Sequence, residues 1–291
     1  MSILVLGGTG TVGGAVVREL LDRGEAGIRV LTRSADKASD LPQGVEAAVA
    51  DLTDPTTFDG VFEGTERMFL LNPVSMTELH EGLSALAEAR RVGMRKIVYM
   101  SVQNPEAGVH IPHFASKIAM ERALRASHIP FVILQPNNFY QNDFWFRDAM
   151  LQYGVYPQPI GEPGISRVDV RDIAVAAASA LGTSDFDGRA IPLVGPDVLT
   201  GEACARSWSE ALGRELHYGG NNLAAWEMQN RQYLPAWMAY DLRLMYAMFH
   251  EGGFRGTASD LAATREILGQ EPRSFDAFTR ECAGMWGEAG G

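Results

Sequence analysis

Short apolar runs alternate with amphipathic stretches through the first half of the chain. Residues 3–6, 28–32, 45–50, 67–71, 96–100 and 131–134 each have the length and aliphatic content of a strand. Helical patterns lie between them. Val12, Ala15, Val16 and Leu20 recur at helical spacing behind the first run. Leu79, Leu83, Leu86 and Arg90 mark one face of a helix over about 76–92, and a further helix covers about 113–127. Strands alternating with helices at this spacing predict βαβ units, and hence an α/β fold built on a doubly wound parallel sheet. Ligands of such sheets bind outside the carboxyl ends of the strands. That rule gathers residues 7–13, Arg33, Asp51, Leu52, Asn72, Pro73, Ser101, Pro136, Asn137 and Asn138 on one rim.

Past residue 138 the pattern changes. Aromatic residues and methionines become dense, and one more strand-like run, 190–194, sits between helical patterns. We read residues 1–138 as the core domain, with later segments at about 166–195 completing its sheet. Residues 139–291 then form mainly a smaller C-terminal α/β lobe that binds substrate. An aromatic and methionine run is more often core than pocket. Phe144, Trp145 and Phe146 are adjacent, however, and cannot all face one core, so at least one faces a cavity or a partner. Phe139, Phe144, Trp145 and Trp226 are the candidates for contact with a bulky apolar or aromatic substrate.

Composition narrows the function classes. The chain has 291 residues, 46% of them hydrophobic, and a net charge of −11. A substantial core can form, and the acidic balance argues against a nucleic-acid face. No apolar run approaches the ~18 residues of a membrane span. Cys204 and Cys282 are the two cysteines, with no CxxC and no His/Cys cluster of zinc-ligand spacing, so no metal is expected. The chain opens on a strand with no leader pattern before it, and reduced, buried thiols suit a cytoplasmic protein. The expected partner is a small molecule, with self-association into a homo-oligomer left open.

Gly7, Gly8, Thr9, Gly10, Thr11, Val12 and Gly13 carry the strongest chemical signal. Glycines between a strand and a helix let the backbone turn tightly beside a pyrophosphate, at the positive end of the helix dipole. The position about 20 residues on, where NAD proteins place an acid for the ribose 2′-hydroxyl, is Arg33. A guanidinium there matches a 2′-phosphate, with Lys37 close behind, and points to NADP(H). The plain alternative is a solvated arginine after a strand. Asp51 can accept from the adenine amino group while Leu52 packs on the ring, or Asp51 can serve a turn before Asp54 and Pro55. Asn72 and Pro73 end the fourth strand on the cofactor side.

His113 and Lys117 stand four residues apart and share a helix face. At this place short-chain dehydrogenases carry Tyr-x-x-x-Lys. Lys117 can hold the nicotinamide ribose, and His113 can donate a proton near neutral pH. Otherwise His113 caps the helix after Pro112 or lines the site. Ser101 can bond a substrate carbonyl or end its strand in a turn. Asn137 and Asn138 can bond the nicotinamide carboxamide or form an Asx turn.

The chain resembles the NmrA-like proteins, a branch of the atypical short-chain dehydrogenase superfamily. The likeness is carried by ILVLGGTGTVG at 3–13, Leu31-Thr32-Arg33, Asp51-Leu52-Thr53-Asp54, KIVYMS at 96–101, the HFASKIAMERAL segment at 113–124, Gln135–Phe139 and VDVRDIA at 168–174. The resemblance implies a Rossmann domain with a small C-terminal lobe and NADP(H) in the crevice. It also implies one of two activities: reduction of quinones, dyes or phenylpropanoid ethers, or cofactor sensing by a regulator without turnover. It gives Lys117 a catalytic place and makes 169–172 structural, with Asp172 capping a helix at 173–181. The reading that follows is an NADPH-dependent reductase of a small apolar or aromatic carbonyl, quinone-like or imine-like substrate, with an NADP(H)-sensing regulatory protein as the alternative.

Overall fold

The computed structural model describes residues 2–288, apart from the side chains of 38, 39, 287 and 288. In chain order the elements are β1 (Ile3–Leu6), α1 (Thr11–Asp22), β2 (Ile28–Thr32), β3 (Val45–Val49), β4 (Arg67–Leu70), α2 (Glu78–Arg91), β5 (Lys96–Met100), α3 (Pro112–Arg125) and β6 (Phe131–Pro136). They continue with α4 (Arg147–Tyr153), β7 (Val155–Tyr156), α5 (Val170–Gly182), β8 (Ala190–Leu193), α6 (Gly201–Leu212), β9 (His217–Tyr218), α7 (Leu223–Asn230), α8 (Ala236–Gly252), α9 (Ala258–Leu268) and α10 (Phe275–Glu288).

The chain forms two compact units. The first comprises residues 1–136, 170–192 and 266–269, and the second comprises 137–169, 193–265 and 270–291. The first is a Rossmann-type α/β unit. Its seven-stranded sheet has the order β3-β2-β1-β4-β5-β6-β8. The first six strands pair in parallel, with Val5 opposite Val30 and Phe69, and Val98 opposite Val132. The central strands β1 and β5 are buried along their whole length, because helices cover both faces. On one face Leu4, Leu6, Met68, Leu70, Ile97, Tyr99 and Ile133 pack with Ala85, Leu86, Ala89, Met120 and Leu124 from α2 and α3. On the other, α1 packs against α5. The edge strand β3 leaves Val49 exposed.

The α2 face differs from its sequence pattern. Leu83, expected inside, is 41% exposed and Arg90 is exposed; the buried stripe is Glu78, Glu81, Gly82, Ala85, Leu86 and Ala89. The physical reason is close helix packing. A Cβ on Gly82 would meet Met120 Sδ at 2.9 Å, so α2 sets its smallest residues against α3, and Glu78 with them meets Lys117, while Glu81 accepts from Ser75 and Thr77. Helix α5 starts at Val170, which places Asp172 inside its first turn rather than at a cap. Among the described residues no helix is long and apolar enough to cross a membrane, and no group of three or more His, Cys, Asp or Glu is placed to hold a metal ion.

The second unit is mainly helical, with the two-stranded parallel ribbon of β7 and β9. A fully buried ion pair organises it. Arg167 Nη2 donates to Asp143 Oδ1 at 2.7 Å, and Trp208 Nε1 donates to Asp143 Oδ2 at 2.8 Å. Tyr156 Oη donates to the same carboxylate at 3.0 Å.

Candidate functional site

The glycine turn joins β1 to α1. Gly7 has φ of +70°, the left-handed region that favours glycine, and its carbonyl accepts the Gly10 N–H at 2.9 Å. Two other glycines are required by space. A Cβ at Gly8 would lie 2.7 Å from the Val30 methyls, and one at Gly13 only 2.2 Å from the Gly7 carbonyl oxygen. Gly10 occupies the N-cap of α1, where no side chain caps the helix and no acid stands in the first turn. The first-turn N–H groups of α1 are therefore presented without a side-chain acceptor, which is the donor set of an anion site. Thr9, Gly10 and Thr11 are exposed at the tip, while Val12 is buried and anchors the helix. These residues fit the pyrophosphate of a dinucleotide.

Arg33 follows β2 directly and is exposed, as is Lys37 in the short 3₁₀ turn Asp36–Asp40. Both can reach a ligand phosphate from solvent. Asp51, at the end of β3, is already engaged. Its Oδ1 accepts the Thr53 hydroxyl at 2.7 Å and the Thr53 N–H at 2.9 Å. Those bonds, with the charge of Arg33 in a smaller share, hold its carboxyl below the usual carboxylate range. Of the two readings open for Asp51, the local turn is the one the side chain makes. Leu52 packs into the hydrophobic core beside Ala50 and Phe58, so it is not displayed as a flat surface for an adenine ring.

At the ends of β4 and β5 the arrangement departs further from the linear motif. Lys117 Nζ lies 2.6 Å from Glu78 Oε1, with the two side chains 7% and 5% exposed. The same ammonium donates to the Met100 carbonyl at 3.3 Å and stands 5.5 Å from the Tyr99 ring centroid. Burial by itself pushes Lys117 down, but Tyr99 and Glu78 outweigh it and the net displacement is upward. Burial pushes the Tyr99 phenol up to about 12, against the opposing pull of Lys117. Ser101 does not present its hydroxyl to a substrate. Its Oγ donates to Glu121 Oε1 at 2.6 Å in a buried cluster completed by Gln135 and Arg125. Asn72 is buried and its Nδ2 has no partner among the described residues; Pro73 beside it is exposed.

His113 stands in the first turn of α3. Ile111, not His113, occupies the N-cap, so the capping alternative for the histidine does not hold. Its ring is half-buried and edge-on to Phe114, with centroids 4.8 Å apart. Pro136 ends β6, where its carbonyl accepts the Gln103 N–H at 2.9 Å.

Asn137 and Asn138 open the second unit, and their amides are used within it. Asn137 Nδ2 donates to the Phe254 carbonyl at 2.7 Å, and Asn138 Oδ1 accepts from Arg167 Nε at 3.0 Å. These bonds tie both side chains into the lobe. Among the aromatic candidates, Trp226 is only 7% exposed and packs edge-on to Tyr246 at 5.0 Å, which makes it core. Phe144 stacks on Phe278 at 5.7 Å, and Phe139 is half-buried. Trp145 is the exposed member of the run, at 69%.

The model of the NmrA-like family matches residues 1–279. The chain belongs to the NmrA-like family. An NAD(P)H azoreductase of Xenophilus azovorans is 28% identical over 99% of this chain and all of its own length. Two solved structures share the fold. An NADPH-dependent quinone oxidoreductase from Escherichia coli, complexed with NADPH, superposes with a TM-score of 0.85 at 21% identity, covering 96% of this chain and 99% of its own. The negative transcriptional regulator Nmra superposes with a TM-score of 0.76 at 19% identity, covering 99% and 97%.

Sequence reasoning missed several polar residues of this NmrA-like chain: Glu78, Glu121, Tyr99 and the Arg167–Asp143 pair. Glu121 carried a readable signal. It follows Phe114, Lys117 and Ile118 at helical spacing and precedes Leu124, so a charge lies on the apolar stripe of α3. Glu78 carried none, because the apolar pattern of α2 pointed to the wrong face.

Proposed function

We propose that the protein is an NADP(H)-dependent oxidoreductase that reduces a small apolar or aromatic carbonyl, quinone-like or imine-like substrate. The observation that carries this reading is the uncapped N-terminus of α1 beneath the glycine turn, with the exposed Arg33 guanidinium at the end of the neighbouring strand. Residues 7–13 bind the pyrophosphate through backbone N–H groups, and Arg33, helped by Lys37, selects the 2′-phosphate. Bound NADPH supplies hydride from C4 of its nicotinamide. Lys117 contributes positive charge at the end of β5 and favours negative charge developing on the substrate. His113, four residues before it on α3, supplies the proton that completes reduction. The NAD(P)H azoreductase relative and the quinone oxidoreductase of the same fold support the reaction class.

A second reading is favoured by one observation. The fold is shared with a transcriptional regulator, and the resemblance to short-chain dehydrogenases puts His113 in the place of their tyrosine. Under that reading the protein binds NADP(H) and reports the redox state without turnover.

The deciding experiment follows NADPH absorbance with purified protein across quinones, azo dyes, imines and aromatic carbonyls. NADPH consumption that needs one of these acceptors, and that falls in His113→Phe, supports the reductase. Tight NADPH binding with no consumption across the panel overturns it and leaves the sensor.

A further inference from the structure

The buried pair of Lys117 and Glu78 does more than close a gap between helices. Lys117 sits where its family motif uses a lysine on the cofactor, yet its nearest counter-charge belongs to a residue outside the motif. Glu78 occupies the first turn of α2, whose Gly82 approaches Met120 of α3 too closely to admit a Cβ without displacement. That close approach brings the two helices together where the carboxylate meets the ammonium, 2.6 Å apart.

The hydrogen bonding around the pair is incomplete. A buried ion pair that serves stability alone needs its remaining lone pairs satisfied. Glu78 Oε1 faces the Lys117 ammonium at 2.6 Å, but Oε2 has no hydrogen-bond donor among the described residues. One turn along α2, Asn72 Oδ1 lies 3.2 Å from the Cβ position of Gly82, while Asn72 Nδ2 is buried without a partner. Unpartnered polar atoms thus lie on Glu78, which meets Lys117, and on Asn72, which follows β4 and lies against Gly82 of the same helix.

We propose that Glu78 is a positioning residue for Lys117: it sets where the ammonium points, and thereby how firmly the protein holds the nicotinamide half of NADP(H). The inference rests on the reading that NADP(H) binds this unit. The charged and titratable groups facing Lys117 are Glu78 from α2 and Tyr99 from β5, with Glu121 of α3 acting on Tyr99.

The test compares wild type with Glu78→Gln, Glu78→Asp and the charge-free double variant Glu78→Leu/Lys117→Met. The readouts are the NADPH dissociation constant from cofactor fluorescence, thermal stability, and titration of the Lys117 side chain by NMR with ¹³Cε-labelled lysine. Glu78→Gln is expected to raise the dissociation constant roughly tenfold and move the Lys117 titration to lower pH, with partial rescue in Glu78→Asp. The double variant is expected to recover stability, as apolar replacements of buried pairs often do, without recovering NADPH affinity. If wild type binds NADPH and Glu78→Gln binds it within about twofold, or if the double variant recovers affinity together with stability, Glu78 is structural and the inference fails. Wild type that binds no NADPH overturns the cofactor reading itself, a result told apart by the first measurement.

Discussion

The Cα of Gly13 passes so close to Gly7 that a methyl group on it would stand 2.2 Å from the Gly7 carbonyl oxygen. The obstacle is backbone, not a side chain able to swing away. Gly13→Ala must therefore push α1 off β1. We expect it to lose about 1–3 kcal/mol of stability and at least tenfold in NADPH affinity. Gly10→Ala faces a milder contact of 3.3 Å and should lose less of both. Thermal melts and cofactor fluorescence on the two variants check the order; equal losses would refute the spatial argument.

In the proposed reading Arg33 sets cofactor choice rather than cofactor binding as such. Charge-assisted hydrogen bonds to a phosphate are worth about 1.5–3 kcal/mol. Arg33→Ala should thus weaken NADPH by roughly tenfold or more while leaving NADH affinity nearly unchanged. Dissociation constants for both cofactors, measured on wild type and variant, give the answer. Parallel losses would show that the guanidinium does not read the 2′ position.

Asp143 holds the second unit together. Its carboxylate accepts from Arg167, Tyr156 and Trp208 with no exposure to water. Asp143→Ala leaves the Arg167 guanidinium buried without its counter-charge, at a cost of about 3–5 kcal/mol. Chemical denaturation should show a correspondingly early transition. A loss below about 1 kcal/mol, the level of an exposed pair, would contradict this account.

Alkaline pH should destabilise the protein through its buried phenols. Burial raises Tyr99 and Tyr246 each to about 12, above the ordinary tyrosine value of 10.0. A raised pKa in the folded state means that the unfolded chain releases its proton first. The stabilisation is therefore complete below about pH 10 and is lost as pH rises toward 12. Tyr99→Phe should flatten the stability profile in that window without changing its shape near neutrality. Denaturation midpoints across the alkaline range, with tyrosinate absorbance, provide the check.

The fold was legible because its signals are local. Each of the six expected strands in the first half lies within two residues of an observed one, and the α1 stripe of Val12, Ala15, Val16 and Leu20 is buried as its spacing requires. Locally built features were legible too: the turn at Gly7, made by one peptide segment, and the charge that a strand end leaves in solvent at Arg33. It was not legible where function depends on which neighbour a side chain finds. Ser101 ends its strand as expected, but Glu121, twenty residues on, takes its hydroxyl. Asn137 and Asn138 fall at the end of β6, but Phe254 and Arg167 engage their amides. Trp226 reads like any aromatic of a binding lobe and lies in its core.

By itself the sequence determined the strand–glycine–helix unit, the alternation that yields a parallel sheet, and the four-residue spacing that puts His113 and Lys117 on one side of α3. All of these follow from steric and periodic rules acting within a few residues. Only the tertiary structure decided that Lys117 faces Glu78, that Asp51 folds back on Thr53, and that Arg167 closes on Asp143. Two of these pairs are remote in the chain, and the phase of a helix such as α2 is set by what its neighbour can accommodate. In α2, Gly82 lies against Met120 and Leu83 faces solvent, and Glu78 on the same helix meets the lysine.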